Sequence, residues 1–372
     1  MTIVLFLIIL GALIFVHELG HFISAKKAGI RVDEFALGFP PRIVSKKLGE
    51  TVYSLNLIPF GGFVKIFGED GLENADLTQT DADSTQMKAD TERLFTSKTR
   101  WTQAFVLSSG VLGNIVFAWL LISTTFLFGV PFGAEGRYAE QIQNAALTIV
   151  SVLPDSPAEK AGIKSGDAIL SLRDGERIFE GANGDSARAF IQETKDALLI
   201  QYKRGESIAR AEVVPVQGIV EGKPAIGVSL ETVGVVRFGF FRAFFEGFLT
   251  TADLLREVTI GLFGFIAQAF RGEADFGAIT GPVGIAGLVG EARTLGLVYL
   301  LSFTAFISIN LAVINLLPIP ALDGGRLLFL GIEGIIRRPI PVRITRALNA
   351  AGFVLLILLM VVITYRDIVR MI

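Results

Sequence analysis

The chain has 372 residues, 51% of them hydrophobic, with a mean hydropathy of +0.58. This composition is too apolar for an ordinary soluble domain and is typical of an integral membrane protein. The formal net charge of −2 argues against a nucleic-acid-binding protein. The chain has no cysteine, which excludes disulfides and thiolate metal ligands.

The first predicted element is a membrane-spanning helix over residues 2–24. Thr2–Val16 contains no charged residue, and the apolar run matches the ~20 residues needed to cross the hydrocarbon core. No basic residues precede the run, so we expect a retained span and not a cleaved signal peptide.

This first span carries His17, Glu18 and His21, the pattern H-E-x-x-H. Residues four apart share one helix face, so both imidazoles can bind one metal ion, with Glu18 beside them as a base. Ionisable groups in a membrane helix are costly unless something compensates them, and a metal does so. A structural zinc site usually has four protein ligands, often cysteine, so a catalytic site with three ligands and a water fits better.

The loop after the first span is apolar and rich in β-branched residues. Residues 32–67 are predicted to form short strands with a turn at Gly61-Gly62. Two interpretations remain open for this segment: a hairpin that re-enters the membrane, sheltered by protein, or a small cytoplasmic sheet. Residues 68–92 are acidic and polar, and are expected to form an exposed flexible loop.

Three further spans are predicted at residues 105–130, 297–317 and 347–364. Basic clusters follow the first span, precede the second and separate the third from the fourth. With four spans, all three clusters fall on one side of the membrane. The positive-inside rule makes that side cytoplasmic, so both termini are predicted to be extracytoplasmic.

An α+β module is predicted on the outer side, at residues 143–232. The expected strands are 147–152, 168–172, 198–203 and 211–215, and the expected helices are 157–161 and 186–194. Residues 238–270 are rich in phenylalanine but carry five charges, which favours an amphipathic helix at the outer interface. A fifth span is the alternative there, although it would invert the later charge clusters.

A candidate third metal ligand follows the third span. Asp323 is the only carboxylate between Glu291 and Glu333. Pro318 and Pro320 can break the helix and expose backbone at membrane depth. The alternative is a cytoplasmic turn with an incidental Asp-Gly pair.

The H-E-x-x-H motif and the segment Asn315–Gly325 together resemble the paired signature of site-2 proteases, a family of intramembrane zinc metalloproteases. The resemblance covers most of the chain and includes residues 38–41, 58–65, 113–114 and 281–285. Residues 152–169 resemble a PDZ domain. The arrangement is similar to the bacterial group that cleaves anti-sigma factors and leftover signal peptides. One departure is that some relatives carry two tandem PDZ domains, whereas this chain has room for one, which puts a two-domain substrate sieve in doubt.

The resemblance implies Zn²⁺ bound by His17, His21 and Asp323, with Glu18 as the catalytic base. It also implies that Asn315 and Asn310 hold the substrate or the oxyanion; polar packing in the third span is the alternative for both.

Gly61 and Gly62 are expected to belong to a strand edge that holds the substrate in an extended conformation. The expected substrates are single-span transmembrane proteins. Other expected partners are the lipid bilayer and a peptide C-terminus at the PDZ domain, which could instead act as a steric gate. No nucleic acid is expected.

The predicted fold class is a multi-pass α-helical membrane protein with about four transmembrane helices, a membrane re-entrant β-hairpin and an inserted α+β PDZ domain. Its regions are residues 1–142 and 297–372 in the membrane, 143–232 as the PDZ domain, and 233–296 as an interfacial helix and linker. The predicted location is the bacterial cytoplasmic membrane, with the PDZ domain extracytoplasmic. The rival functions are a non-catalytic metal-binding scaffold and a metal transporter, neither of which needs Glu18.

Overall fold

The computed structural model describes residues 1–69, 91–134, 137–194, 196–205, 207–220, 223–274, 277 and 279–371. The loop predicted at residues 68–92 therefore lies almost wholly outside the described residues. The chain divides into two compact units. The first comprises residues 1–122, 248–290 and 303–372, and the second comprises residues 123–247 and 291–302.

The helices, numbered along the chain, are α1 (Thr2–Lys27), α2 (Arg100–Phe128), α3 (Pro157–Lys160), α4 (Gly184–Glu193), α5 (Phe240–Arg271), α6 (Pro282–Leu295), α7 (Leu297–Asn315), α8 (Asp323–Ile336) and α9 (Val342–Met371). Among the described helices, α1, α2, α7 and α9 are long and apolar enough to cross a membrane. This agrees with the four predicted spans. Three of them extend past the predicted ends into basic residues, because long cationic side chains reach from a helix end to water.

The strands are β1 (Val32–Leu48), β2 (Thr51–Ile66), β3 (Val130–Gly133), β4 (Gln143–Val152), β5 (Ala168–Asp174), β6 (Arg177–Phe179), β7 (Leu198–Arg204), β8 (Ser207–Val213), β9 (Val216–Val220), β10 (Lys223–Ala225) and β11 (Val228–Val236). They form a hairpin in the first unit and the sheets of the second.

The prediction of a turn at Gly61-Gly62 is wrong. The chain reverses at Gly49 and Glu50, and both glycines lie inside β2, with Gly62 opposite Leu37 of β1. The physical reason for glycine here is close packing. A Cβ on Gly62 would lie 2.9 Å from the Ala36 carbonyl oxygen and 3.0 Å from Cγ of Glu18.

The first half of β1 pairs on both sides, because β2 bends back along it. Phe35 lies opposite Tyr53 on one side and opposite Val64 on the other. The segment Gly61–Ile66 is thus an outer strand that pairs with β1 along one edge. Ile43 and Val44, in the second half of β1, are exposed and lie outside the packed core.

The hairpin turn is tied to the end of α1 by charge. The Glu50 carboxylate accepts hydrogen bonds from Lys26 and Arg93. The hydrogen bond from Lys26 lowers the pKa of Glu50 below its usual range. Partial burial opposes this effect, and the hydrogen bond from Arg93 adds to it. These contacts fix the position of the hairpin relative to the helix that carries His17.

The second unit contains an antiparallel sheet in the order β3-β11-β4-β5-β7-β8, with β6 paired to β5. Its apolar core includes Leu147, Ile149, Leu172, Leu198 and Leu230, each at most 1% exposed. The predicted strands and helices of this module are present, with ends that move by a few residues. The largest difference is in β8, which spans Ser207–Val213, whereas the predicted strand spans residues 211–215.

The region after this module is more helical than expected. α5 is one continuous helix with exposed phenylalanines, including Phe241 and Phe270. At 32 residues it is long enough to cross a membrane, but it is not among the described helices that are also apolar enough to do so. Its position at the outer interface stays a prediction. Part of the expected linker is the helix α6, whose first turn is capped by Asp367 of α9 through the backbone N–H groups of Gly281 and Gly284.

Candidate metal centre

The motif helix α1 packs against α2 through glycines. A Cβ on Gly20 would lie 2.2 Å from the Ser109 carbonyl oxygen, so only glycine allows this approach. On the facing helix, a Cβ on Gly110 would lie 2.3 Å from Nε2 of His21 and 2.8 Å from Cε1 of His17. Small residues bring membrane helices this close. Here the space left by the glycine is filled by the two imidazoles.

His17, His21 and Asp323 converge, although Asp323 lies 302 residues beyond His21 in the chain. Oδ2 of Asp323 is 3.1 Å from Nε2 of His17 and 3.2 Å from Nε2 of His21. The two Nε2 atoms are 3.3 Å apart. Both histidines are buried, with 8% and 7% of their surface exposed.

The triangle of donor atoms has the size expected for zinc. Tetrahedral ligands at about 2.0–2.1 Å from a metal are separated from one another by about 3.3 Å. The three observed separations are 3.1, 3.2 and 3.3 Å. Two imidazoles and a carboxylate are a donor set that zinc accepts, and they leave a fourth position for water or substrate. The residues present therefore fit zinc.

The outer nitrogens of both imidazoles also have partners. Nδ1 of His21 donates to the Val106 carbonyl oxygen at 2.9 Å, which leaves Nε2 free as a ligand. Nδ1 of His17 faces the side-chain amide of Asn114 at 3.3 Å. Such partners orient metal-binding imidazoles and fix their tautomer.

The amide of Asn114 is itself informative. This side chain is fully buried, and its Oδ1 has no hydrogen-bond partner within the described part of the chain. If His17 binds metal through Nε2, its Nδ1 carries the proton and requires an acceptor. Rotation of the amide by a half-turn presents Oδ1 to that proton and satisfies both groups. The environment of Asn114 thus fits a metal-bound His17.

A tight turn positions Asp323 at the start of α8. A Cβ on Gly324 would lie 2.2 Å from the Leu316 and Leu317 carbonyl oxygens, which requires glycine after the ligand. Ala321 has a positive φ of 78°. Its backbone N–H donates to the side-chain oxygen of Asn349 at 3.1 Å, so α9 supports the turn.

A cleft of about 370 Å³ opens in front of the three donors. Glu18, Gly61, Gly62 and Asn315 line it together with the ligands. Glu18 has no hydrogen-bond partner among the described residues, so its carboxylate is available to a substrate or a water.

The structure does not bring Asn310 to the cleft. Its amide donates to the Phe306 carbonyl oxygen in its own helix at 2.8 Å. Asn310 lies nearly one and a half turns before Asn315 and is not among the residues that line the cleft. Its substrate-binding role stays a prediction that the cleft geometry does not support. Asn315 lines the cleft, and its substrate-binding role also stays a prediction.

Sequence reasoning missed Gly110, the Val106 carbonyl and Asn349. A backbone carbonyl leaves no sequence signal, and the tertiary partner of Asn349 could not be foreseen. The role of Asn114 did have a sequence signal. Asn114 is a polar residue within an apolar predicted span, and a polar side chain is costly to bury in a membrane unless it has a function.

Comparisons with known proteins agree with this centre. The model of peptidase family M50 matches residues 5–359. CPE1693 of Clostridium perfringens is 34% identical, with 99% of each chain covered. The zinc metalloprotease RasP of Geobacillus kaustophilus is 30% identical, over 99% of this chain and 97% of its own.

The regulator of sigma-W protease RasP of Bacillus subtilis is 31% identical, over 100% of this chain and 99% of its own. Among solved structures, the PDZ domain of the SdrC-like protein of Listeria monocytogenes matches 24% of this chain and 90% of its own at 25% identity, with a TM-score of 0.21. The family match spans most of the chain and includes all three donor residues. The chain therefore belongs to peptidase family M50, the site-2 protease family of zinc metalloendopeptidases.

Proposed function

We propose that this protein cleaves single-span membrane proteins within or near their transmembrane segments, as in anti-sigma factor or remnant signal peptide cleavage. The observation that carries the proposal is the placement of the three donors. His17 and His21 belong to a helix that is apolar and long enough to cross a membrane, and Asp323 joins them from a separate segment. The substrate bond must therefore reach the depth of α1.

The outer strand Gly61–Ile66 is suited to present the substrate. It lines the cleft beside Glu18 and pairs with β1 along one edge. A transmembrane helix hides its own peptide bonds, so it must unwind before cleavage. Strand addition to this edge would hold the unwound segment extended next to the ligands. We propose that the hairpin re-enters the membrane for this purpose, sheltered by α1.

Glu18 carries the proton chemistry. Zinc, when bound, supplies Lewis acidity that polarises a carbonyl and makes a water acidic enough to attack near neutral pH. The Glu18 carboxylate takes a proton from the attacking water and returns it to the leaving amide nitrogen. Asn114 and the Val106 carbonyl hold the ligand imidazoles in one orientation meanwhile. Asn315, on the cleft wall, is placed to donate to the substrate backbone or the oxyanion.

The rest of the chain has a proposed layout as well. The regions 1–142 and 297–372 form the membrane part, and 233–296 lies at the outer interface. From the basic clusters and the positive-inside rule, we propose that both termini and the 143–232 module lie outside the cytoplasm.

The PDZ-like module is proposed to bind peptide C-termini. Its groove of about 160 Å³, between α4 and the start of β11, is lined by apolar side chains such as Ile191 and Ile226. Saturable binding of short peptides with apolar C-termini, lost when the carboxylate is amidated, would support this role. A module that binds neither form would leave steric gating as its role.

The direct test is cleavage of a single-span test substrate by the purified full chain reconstituted in lipid. Glu18→Gln should lower the rate by about 10²–10⁴-fold, because it removes the base and keeps the side-chain volume. Zinc content should not change. Glu92→Gln, which alters an exposed carboxylate, is the matched control and should cleave like the wild type.

The scaffold and transporter hypotheses make the opposite prediction. Neither needs a carboxylate beside the first ligand, so Glu18→Gln would then leave the function intact. Equal cleavage by both proteins, or none by a zinc-replete wild type, would refute the proposed activity.

A further inference from the structure

A second cavity lies in the first unit, at the N-terminal ends of two spanning helices. It has a volume of about 750 Å³ and adjoins the beginnings of α2 and α9 together with the C-terminal part of α8. We call it the basic cavity; its charged lining residues are Glu69, Lys98, Arg100, Arg326, Glu333 and Arg346.

Cations predominate in the basic cavity. Arg326 is paired with Glu69, and the Glu333 carboxylate accepts a backbone N–H from Ile340 at 2.9 Å. Within the described ranges, Lys98, Arg100 and Arg346 have no carboxylate at ion-pair distance; Arg100 donates instead to the Leu330 carbonyl oxygen at 3.1 Å. Among the described residues, these three cations thus face a polar space without a carboxylate at ion-pair distance, and an anionic ligand would neutralise them.

The surroundings of the basic cavity indicate the membrane interface. Trp101, next to Arg100, is 87% exposed, and exposed tryptophan at the end of a span is typical of the headgroup level. From Ala350, which lines the cavity, an apolar stripe runs along α9 at helical spacing. Its members Val354 and Leu358 are 65% and 61% exposed.

We propose that the basic cavity binds the phosphate headgroup of an anionic glycerophospholipid, whose acyl chains lie along the exposed stripe of α9. Lys98, Arg100 and Arg346 neutralise the phosphate, aided by the positive N-terminal ends of α2 and α9. The exposed stripe beside the cavity favours a lipid over a free phosphate, because acyl chains can pack along it and a soluble anion cannot.

The bound lipid would also stabilise the turn that supplies Asp323. Asn349 lines the basic cavity and accepts the backbone N–H of Ala321, two residues before Asp323. Arg326 lines both this cavity and the cleft. Anchoring the first turns of α9 at the headgroup therefore restrains one wall of the metal centre.

The test uses the full chain, delipidated in detergent and titrated with long-chain phosphatidylglycerol or with phosphatidylcholine, with bound lipid measured by native mass spectrometry. Lys98→Gln/Arg346→Gln should weaken phosphatidylglycerol binding by about tenfold or more. Arg338→Gln/Arg343→Gln removes the same charge from exposed positions outside the cavity lining, and should bind like the wild type. The variant Lys98→Arg/Arg346→Lys should restore binding if charge is what matters. Unchanged zinc content in every variant shows that the metal centre is still folded.

Three outcomes would overturn the proposal. Equal loss of binding in both glutamine variants would show a diffuse charge effect and no site. Equal affinity for phosphatidylcholine would show that the anionic headgroup is not recognised. Glycerol phosphate or inorganic phosphate binding as tightly as the lipid would show a soluble-anion site.

Discussion

The helices α2 and α9 are similar in length, at 29 and 30 residues, and both are apolar enough to cross a membrane. Their environments differ. In the most apolar part of each helix, 44% of the residues of α2 are buried, against 6% in α9. α2 buries Ser109 and Asn114 beside the motif helix. Apolarity alone thus identifies a span, whereas buried glycines and polar groups identify the span that supports chemistry.

The largest expected effect comes from filling the contact between α1 and α2. Gly110→Ala should displace both imidazoles, because its methyl group would fall within 2.8 Å of His17 and His21. We expect loss of zinc and at least about a 100-fold loss of cleavage rate, as for small misplacements of reacting groups. Metal analysis and substrate cleavage measure the two effects.

Gly11→Ala is the control for this change, because no heavy atom lies within 4 Å of the added methyl group. It should retain zinc and activity. Full zinc content in Gly110→Ala would contradict the close packing of α2 against the ligands.

The next largest effect is expected on zinc affinity when Asn114 is substituted. Asn114→Ala should weaken zinc binding by about 10–100-fold, because the Nδ1–H of His17 loses its acceptor. Asn114→Asp keeps an acceptor oxygen and should bind zinc at least as well as the wild type. Competition with a zinc chelator separates the variants. Equal weakening by both substitutions would mean that Asn114 serves packing alone.

A matched valine pair tests burial itself. Val106 of α2 is fully buried, and Val354 of α9 is 65% exposed. Val106→Ala should destabilise the protein by about 1 kcal/mol or more, since it leaves a void. Val354→Ala should stay within about 0.5 kcal/mol. Unfolding in detergent by a denaturant gives both values. Equal losses of unfolding free energy in the two variants would contradict the difference in burial between α2 and α9.

The smallest effect is expected at the C-terminal end of α1, where Glu50 contacts Lys26. Glu50 has a lowered pKa in the folded state, chiefly through Lys26. Its stabilisation is therefore complete above the unfolded-state pKa of about 4.3 and is lost as the pH falls through the lower folded-state value. Glu50→Gln should lower Tm by about 2 °C or less at pH 7. The difference should disappear once the pH falls below the folded-state pKa of Glu50.

The exposed Glu176→Gln should leave Tm unchanged at either pH and serves as the control. A pH-independent effect of Glu50→Gln would contradict the ionic account of the hairpin anchor.

The four apolar helices and the pair His17 and His21 were predictable because each depends on residue type and local spacing. Asp323 was a candidate as the only carboxylate between Glu291 and Glu333, and its role as a ligand was implied by the family resemblance. The H-E-x-x-H turn needs only helical periodicity. The role of Gly61-Gly62 was not predictable, because a glycine pair is equally typical of a turn and of a strand that packs closely against a neighbouring segment. The partner of Asn349 depends on a tertiary contact between α9 and the turn before Asp323. Asn310 and Asn315 are both polar residues of one span, and only the path of the helix separates them.

The central claim is that one metal ion is held by two segments far apart in the chain. Zinc stoichiometry and X-ray absorption of the purified full chain test it most directly. We predict one zinc per wild-type chain with two imidazole ligands, one imidazole or no zinc in His21→Ala, and little or no zinc in Asp323→Ala. Undiminished zinc with unchanged coordination in Asp323→Ala would contradict the three-ligand centre.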